Sequence, residues 1–176
     1  EVKGIIKALL ESAEAGKKII LLIDDAYFGL VYEKDIFRES VFAKLCDVSE
    51  NLLTVKIDGV TKEDYAWGLR VGFLTFGIRN GNDELYNTIQ DKVAGAVRGS
   101  ISNAPNVSQS LLLKGFDDGS YIVQKQEKYE TMKKRYQTAK RIINERKEFA
   151  EYFEPLLFNS GYFLCVDIKK GNADEV

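Results

Sequence analysis

The stretch IILLIDDAY, residues 19–27, decides the fold of this chain. Five apolar residues followed directly by two aspartates are typical of a strand that is buried on both faces and ends at a polar sheet edge. Helical periodicity predicts one helix before this stretch, over residues 2–13, and a shorter one after it, over residues 37–45. The next apolar run, residues 52–57, therefore predicts a second strand that is parallel to the first.

The later patterns predict one more strand of this sheet and then mostly helix. Residues 70–76 follow the second strand too closely for a crossover helix, so we expect this third strand to be antiparallel. Helices are expected from residue 82 onward, and the last of them, over residues 121–149, carries a single apolar stripe. Short strands at 155–158 and 162–168 complete the pattern. We predict an α/β fold with a mixed sheet, joined by the long helix to the start of a second, smaller α+β unit.

Composition excludes several classes of function. The 176 residues are 45% hydrophobic and 30% charged, which is typical of a folded globular protein. The net charge of −2 argues against nucleic acid or an anionic membrane as a partner, and the longest apolar run is too short to span a bilayer. There are no histidines, which removes histidine bases and histidine metal ligands. The two cysteines have no metal-binding or redox spacing, so we expect a reduced, cytoplasmic setting and no metal site.

Four polar residues should meet at the carboxyl ends of the parallel strands, where ligands bind in open α/β sheets. Asp24 follows the first strand, with Tyr27 close by, and Lys62 follows the second strand. Arg70 begins the antiparallel third strand and so starts at the same edge. Each residue also has an ordinary structural interpretation. Asp24 fits a strand-end turn or helix cap, Lys62 a surface lysine, Arg70 a paired surface arginine, and Tyr27 a core residue.

Together these side chains match the chemistry of pyridoxal 5′-phosphate (PLP). A lysine amine forms a Schiff base with the aldehyde of this cofactor. A carboxylate near the pyridine nitrogen keeps the ring protonated, and an arginine can clamp the phosphate. A tyrosine hydroxyl can donate to the phenolate oxygen of the ring.

On two linked motifs the chain resembles the class I/II aminotransferases of fold type I. DDAYFG at residues 24–29 is similar to the Asp-x-Ala-Tyr motif of that family. Thr61-Lys62 followed by WGLRVGF at residues 67–73 is similar to its Schiff-base lysine, which lies eight residues before a phosphate-binding arginine in a Gly-x-Arg-x-Gly context. The resemblance covers most of the chain.

The resemblance implies a role for each of the four residues. Lys62 would be the Schiff-base lysine and proton shuttle, and Asp24 the partner of the pyridinium nitrogen. Tyr27 would contact the phenolate oxygen, and Arg70 would bind the phosphate. The chain departs from the family at Gly59, because many relatives have Ser or Thr three residues before the lysine.

The resemblance also implies a division of the chain. Residues 1–118 would be the C-terminal half of the large PLP-binding domain, residues 119–150 the interdomain helix, and residues 151–176 the start of the small domain. The phosphate loop, the ring-stacking aromatic residue and the substrate-carboxylate arginine of the family would lie outside this central segment. We therefore expect the chain alone to be inactive, and the full-length enzyme to be a homodimer acting on an amino acid and a 2-oxo acid.

Three other functions stay open on the sequence. A carbon–sulfur lyase that works by β-elimination shares the same fold and motifs. The PLP-binding effector module of a transcription regulator is a non-enzymatic alternative, and an α/β interaction domain with chance motifs is another. The leading expectation is an amino acid aminotransferase, with transfer of the amino group through the Lys62 Schiff base.

Overall fold

The computed structural model describes residues 1–172, and the chain falls into two compact units. The first unit consists of Glu1–Phe28 and Phe37–Asp118, and the second consists of Gly29–Ile36 and the chain from Gly119 onward. The first unit contains the elements α1 (Val2–Glu14), β1 (Ile19–Asp24), α2 (Phe42–Leu45), β2 (Leu52–Gly59), α3 (Val60–Glu63), β3 (Gly72–Gly77), α4 (Asp83–Ser100) and α5 (Asn106–Phe116). The second unit contains α6 (Tyr121–Glu145), β4 (Phe153–Pro155) and β5 (Val166–Ile168).

The sheet of the first unit has the order β1-β2-β3. β1 and β2 are parallel, with Asp24 opposite Ile57. β2 and β3 are antiparallel, with Gly59 opposite Gly72. The predicted mixed sheet is therefore confirmed, and so is the antiparallel direction of its third strand. The carboxyl ends of β1 and β2 meet the start of β3 at one edge.

One buried cluster of the first unit lies on a single face of this sheet. Ala13 of α1, Leu45 of α2 and Leu52 of β2 are completely buried together. On the other face of β1, Ile20 and Leu22 are 70% and 63% exposed. The prediction that residues 19–23 are buried on both faces is therefore wrong for the described chain, because α1 and α2 both pack on the same side.

The helix predicted over residues 37–45 is reduced to the four residues of α2. The buried Ser40 hydroxyl accepts a hydrogen bond from the Phe42 nitrogen at 3.1 Å and donates one to the Asp25 carboxylate. These bonds hold Ser40 in a turn against the end of β1, and the helix begins only after it. In contrast, α4 begins where helix was expected, and the Asn82 side chain caps it by accepting a hydrogen bond from the Leu85 nitrogen at 2.9 Å.

The strands of the second unit match the predicted bounds only in part, since β5 lies within its predicted range and β4 overlaps its range at Pro155 alone. β4 and β5 pair antiparallel, with Phe153 opposite Ile168, whereas strands were expected at 155–158 and 162–168. The difference arises because residues 159–161 pair with a segment distant in sequence. Val31 forms a bridge to Ser160, and the Gly161 nitrogen donates to the Leu30 carbonyl at 3.0 Å. Residues 173–176 of the predicted small domain lie outside the described residues, and the predicted domain limits stay a prediction.

Helix α6 packs its stripe of tyrosines on the segment Gly29–Ile36 in the same unit. The Tyr129 hydroxyl donates to the Val31 carbonyl at 2.7 Å, and the Tyr136 hydroxyl donates to Glu33 at 2.5 Å. The predicted helix over residues 121–149 ends earlier, at Glu145, and continues as a 3₁₀ turn. We call the set Tyr32, Glu33, Tyr129, Tyr136 and Lys140 the tyrosine cluster.

Charges in the tyrosine cluster satisfy one another. Hydrogen bonds from Lys140 and Tyr136 lower the pKa of the Glu33 carboxyl. Hydrogen bonding to Glu33 raises the pKa of the Lys140 ammonium, and burial followed by the bond to Glu33 raises the pKa of the Tyr136 hydroxyl. The Tyr32 ring lies 5.1 Å from the Tyr136 ring, centroid to centroid.

Candidate active site

Lys62 lies in the short helix α3, which follows the carboxyl end of β2 without a loop. The chain turns here because Gly59 and Gly72 approach each other closely in the antiparallel register. A Cβ atom on Gly59 would lie 2.7 Å from the Val71 carbonyl oxygen and 2.8 Å from the Gly72 Cα. The departure from the family's Ser or Thr at this position thus has a structural counterpart, since both close contacts are with backbone atoms.

Lys62 and Arg70 line one cavity of about 180 Å³ at this edge of the sheet. Asp58, Gly59, Thr61 and Gly72 belong to the same lining. A lysine and an arginine that line one cavity are suited to an anionic ligand such as a phosphate. The structure therefore brings together the two residues predicted to bind the aldehyde and the phosphate of the cofactor.

Arg70 has an unusual backbone conformation. It was expected to begin the third strand, but β3 begins at Gly72, and that expectation is wrong. Arg70 lies instead in the left-handed region, with φ 54° and ψ 41°, and its guanidinium donates to the Trp67 carbonyl at 3.4 Å. This conformation is uncommon for a residue other than glycine, and such strain concentrates at functional sites.

Tyr27 lies in the turn that follows β1 and contacts Lys62 directly. The Lys62 Nζ is 5.0 Å from the centroid of the Tyr27 ring, which is within the range of a cation–π interaction. The turn is fixed to the sheet by backbone bonds: the Asp25 nitrogen donates to the Ile57 carbonyl, and the Phe28 nitrogen donates to the Asp25 carbonyl, both at 2.8 Å.

Asp24 is the last residue of β1 and lies at the same sheet edge as Lys62. Its carboxylate accepts a hydrogen bond from the Ala26 nitrogen at 3.1 Å, which is the strand-end turn foreseen as its ordinary structural role. Within the described chain, Asp24 and Tyr27 do not belong to the lining of the cavity that holds Lys62 and Arg70. The assignment of all four as site residues stays a prediction.

Two charged residues near the site, Lys56 and Asp58, are not among the residues predicted from the sequence. Lys56 and Asp58 form an ion pair on β2, and the Lys56 ammonium lies 4.9 Å from the centroid of the Phe28 ring. The signal was present in the sequence, because Lys56 and Asp58 are two residues apart on a strand and therefore share a face. Lys56 lies within residues 52–57, which were interpreted only as an apolar strand, so the pair was not predicted to lie near the site.

Neither a metal-binding cluster nor a membrane-spanning helix is present among residues 1–172. Over residues 1–172 there is no group of three or more acidic, cysteine or histidine residues placed to hold a metal ion. Nor does any helix in that range have the length and apolar character needed to cross a membrane.

A lysine and an arginine on one cavity at the carboxyl edge of a mixed sheet are typical of an α/β enzyme that holds an anionic ligand. The chain belongs to the aminotransferase class I and II family, whose model matches residues 5–176. Its fold is similar to that of an aminotransferase from Anaerococcus prevotii, with a TM-score of 0.73 and 24% sequence identity. The match covers 93% of this chain but 39% of that one. No curated protein matches this sequence.

The donor set fits the cofactor on which this family generally depends. PLP carries an aldehyde, a phosphate and a ring nitrogen, and the site edge offers an amine on Lys62, a guanidinium on Arg70 and a carboxylate on Asp24. Lys62 and Arg70 line the same cavity. Asp24 is the last residue of β1 and lies at the same edge of the sheet.

Proposed function

We propose that this chain is a central segment of a PLP-dependent amino acid aminotransferase and that it contributes Lys62, Arg70, Tyr27 and Asp24 to the cofactor site. The observation that carries the proposal is the cavity at the sheet edge, which Lys62 and Arg70 line together. Membership of the class I and II family supports the same reaction class.

Lys62 would have two tasks in this function. Its amine would hold the cofactor covalently through the aldehyde carbon. After the substrate has displaced it, the same Nζ would take the proton from the α-carbon of the amino acid and return it one position further along. The contact with the Tyr27 ring holds this nitrogen beside the turn that follows β1.

The other three residues would orient the cofactor. Arg70 would pair with the phosphate, the Tyr27 hydroxyl would donate to the phenolate oxygen, and Asp24 would hold a proton on the pyridine nitrogen. When bound, PLP supplies an electron sink for the charge left on the α-carbon. Gly59 offers no hydroxyl to the phosphate, so Arg70 would carry more of that binding than in relatives with Ser or Thr there.

The wider context of the function is also a proposal. The substrates would be an amino acid and a 2-oxo acid, and the full-length protein a homodimer. The chain would comprise the second half of a large domain (residues 1–118), an interdomain helix (119–150) and the start of a small domain (151–176). Both Cys46 and Cys165 are free thiols, which supports a reduced, cytoplasmic setting. By itself the segment would not transaminate.

Trapping of the covalent adduct tests the proposal directly. The chain is incubated with PLP, reduced with borohydride and mapped by mass spectrometry. We expect Lys62 to be labelled in clear preference to exposed lysines such as Lys44, and the label at that site to vanish in Lys62→Ala. Labelling spread evenly over all lysines would overturn the proposal.

The lyase alternative needs a different assay on the full-length protein. A transaminase converts the added amino acid and 2-oxo acid into a new pair of the same two kinds. A β-eliminating carbon–sulfur lyase instead converts its amino acid and water into a thiol, ammonia and a 2-oxo acid, and needs no second 2-oxo acid. The ammonia yield without an added 2-oxo acid therefore separates the two functions.

A further inference from the structure

Lys56 is a largely buried lysine in the middle strand of the sheet. Its ammonium pairs with the Asp58 carboxylate on the same face of β2, and the two side chains are only 14% and 15% exposed. Burial of two charges is costly unless they remain paired. Removal of either partner would leave the other charge uncompensated.

The contacts of Lys56 connect the two segments that form the site. Asp58 lines the cavity beside Lys62. Phe28, over whose ring the Lys56 ammonium lies, directly follows Tyr27 in the turn after β1. Lys56 therefore contacts both the wall of the cavity and the turn that carries Tyr27.

Asp58 and Lys62 line the same cavity. Among residues 1–172, Asp58 is the only acidic residue lining this cavity. An uncompensated carboxylate there would favour the protonated form of a nearby amine. A protonated amine has no lone pair with which to attack an aldehyde.

We infer that Lys56 is a positioning residue of the site, which neutralises Asp58 and holds the turn of Tyr27 against β2 so that Lys62 can react as a neutral amine. This inference rests on the proposed function, because it requires that Lys62 binds PLP. Lys56 itself needs no contact with the cofactor and acts through Asp58 and Phe28.

Other charged and titratable groups surround Lys62, and the test keeps them constant. Tyr27 faces it from the turn after β1, Glu63 lies on its own helix, and Arg70 lines the cavity from the turn before β3. None of these three is altered in the variants below, so a difference between variants reports on Lys56 and Asp58.

The experiment measures the pH dependence of adduct formation at Lys62. The chain and its variants are incubated with PLP over a range of pH, reduced with borohydride, and the label at Lys62 is quantified by mass spectrometry. We expect Lys56→Met to move the half-labelling point to higher pH by about one unit. Asp58→Asn should leave this point unchanged or lower it, and the double variant should return it to the wild-type value.

The matched control is another lysine that is paired with an acid. Lys44 lies 2.7 Å from Glu39, but their side chains are 49% and 62% exposed. Lys44→Met removes the same charge from a solvated pair, and we expect the wild-type labelling profile. A shift in this control equal to that of Lys56→Met would overturn the inference, because general loss of positive charge would then explain both.

The outcomes separate this inference from the proposed function. If wild-type Lys62 is not labelled in preference to other lysines, the proposed function fails. If Lys62 is labelled but Lys56→Met keeps the wild-type profile, only the inference fails. A purely structural role of the pair predicts equal changes in Lys56→Met and Asp58→Asn, and this result would also overturn it. Should Lys56→Met not fold, as judged by circular dichroism, Lys56→Gln replaces it: the same shift to higher pH is expected, and a wild-type profile in Lys56→Gln would overturn the inference.

Discussion

The cavity edge of the first unit and the tyrosine cluster of the second unit use the same kinds of side chain in different ways. Each region contains a lysine, at least one tyrosine and a carboxylate. In the tyrosine cluster, Lys140 bonds to both Glu33 and Tyr136, and the three groups satisfy each other. At the cavity edge, Lys62 contacts the face of a ring and lines a space large enough for part of a ligand.

This difference separates a structural polar cluster from a candidate site. Each charge of the tyrosine cluster stabilises its partner, and the cluster fixes the segment Gly29–Ile36 to α6. At the cavity edge the cations Lys62 and Arg70 share one cavity, and Arg70 adopts a conformation that a non-glycine residue rarely takes. Backbone strain of this kind concentrates at functional sites.

The largest expected effect is on labelling at Lys62, and it is measured by replacing Lys62 of the cavity edge and Lys140 of the tyrosine cluster, each by alanine. Lys62→Ala should abolish borohydride-trapped labelling at this site, because the nucleophile is gone. Lys140→Ala should leave the Lys62 label unchanged but lower the thermal unfolding midpoint of the chain, because Glu33 and Tyr136 lose a partner. Mass spectrometry and a melting curve on both variants check the pair. The same loss of label in both variants would contradict the comparison.

The next largest effect is on stability, and it tests the close backbone packing around Gly59 at the cavity edge. Gly59→Ala should destabilise the chain by about 2–3 kcal/mol, because the new methyl group would meet backbone atoms of Val71 and Gly72, which cannot move aside alone. The matched control is Gly95→Ala in the middle of α4, where nothing lies within 4 Å of the new Cβ. This control should stabilise the chain by roughly 0.5–1 kcal/mol, since alanine favours a helix. Urea denaturation compares the two.

The tyrosine cluster predicts a dependence of stability on pH. The folded-state pKa of Glu33 lies below its ordinary value of 4.5, so its contribution is present above pH 4.5 and is lost as the pH falls through the folded value. Lys140 has a raised pKa, so its contribution is present below 10.5 and is lost as the pH rises through the folded value.

The raised pKa of Tyr136 acts in the same alkaline direction as that of Lys140, because the folded chain resists loss of its phenolic proton above pH 10.0. Thermal melts from acidic to alkaline pH check both limits. The control is Glu33→Gln, which should flatten the acid limb. An acid limb that persists unchanged in Glu33→Gln would assign it to other carboxylates.

The sequence predicted the site edge better than the second unit, for a physical reason. The motif spacing and the short connection between Lys62 and β3 are local features, and they were enough to predict the antiparallel strand and the meeting of Lys62 with Arg70. The pairing of residues 159–161 with Val31 is a contact between distant segments that leaves no periodic signal. The exposure of one face of β1, and the left-handed turn at Arg70, depend on packing in the same way.

The smallest expected effect on stability is the one that decides between the two interpretations of Asp24. Its carboxylate oxygen accepts from the Ala26 nitrogen, and the amide oxygen of asparagine can accept the same bond. Asp24→Asn should therefore change the free energy of unfolding by no more than about 0.5 kcal/mol. If Asp24 is only a turn residue, nothing else should change. If it holds a proton on the cofactor ring, the label at Lys62 should still form, but the absorbance spectrum of the bound cofactor should follow pH differently from wild type.

Asp24→Ala is the matched control: it loses the turn bond and should cost about 1 kcal/mol in the same melts. Equal spectra in wild type and Asp24→Asn would assign Asp24 to the turn alone and leave the ring nitrogen to another group.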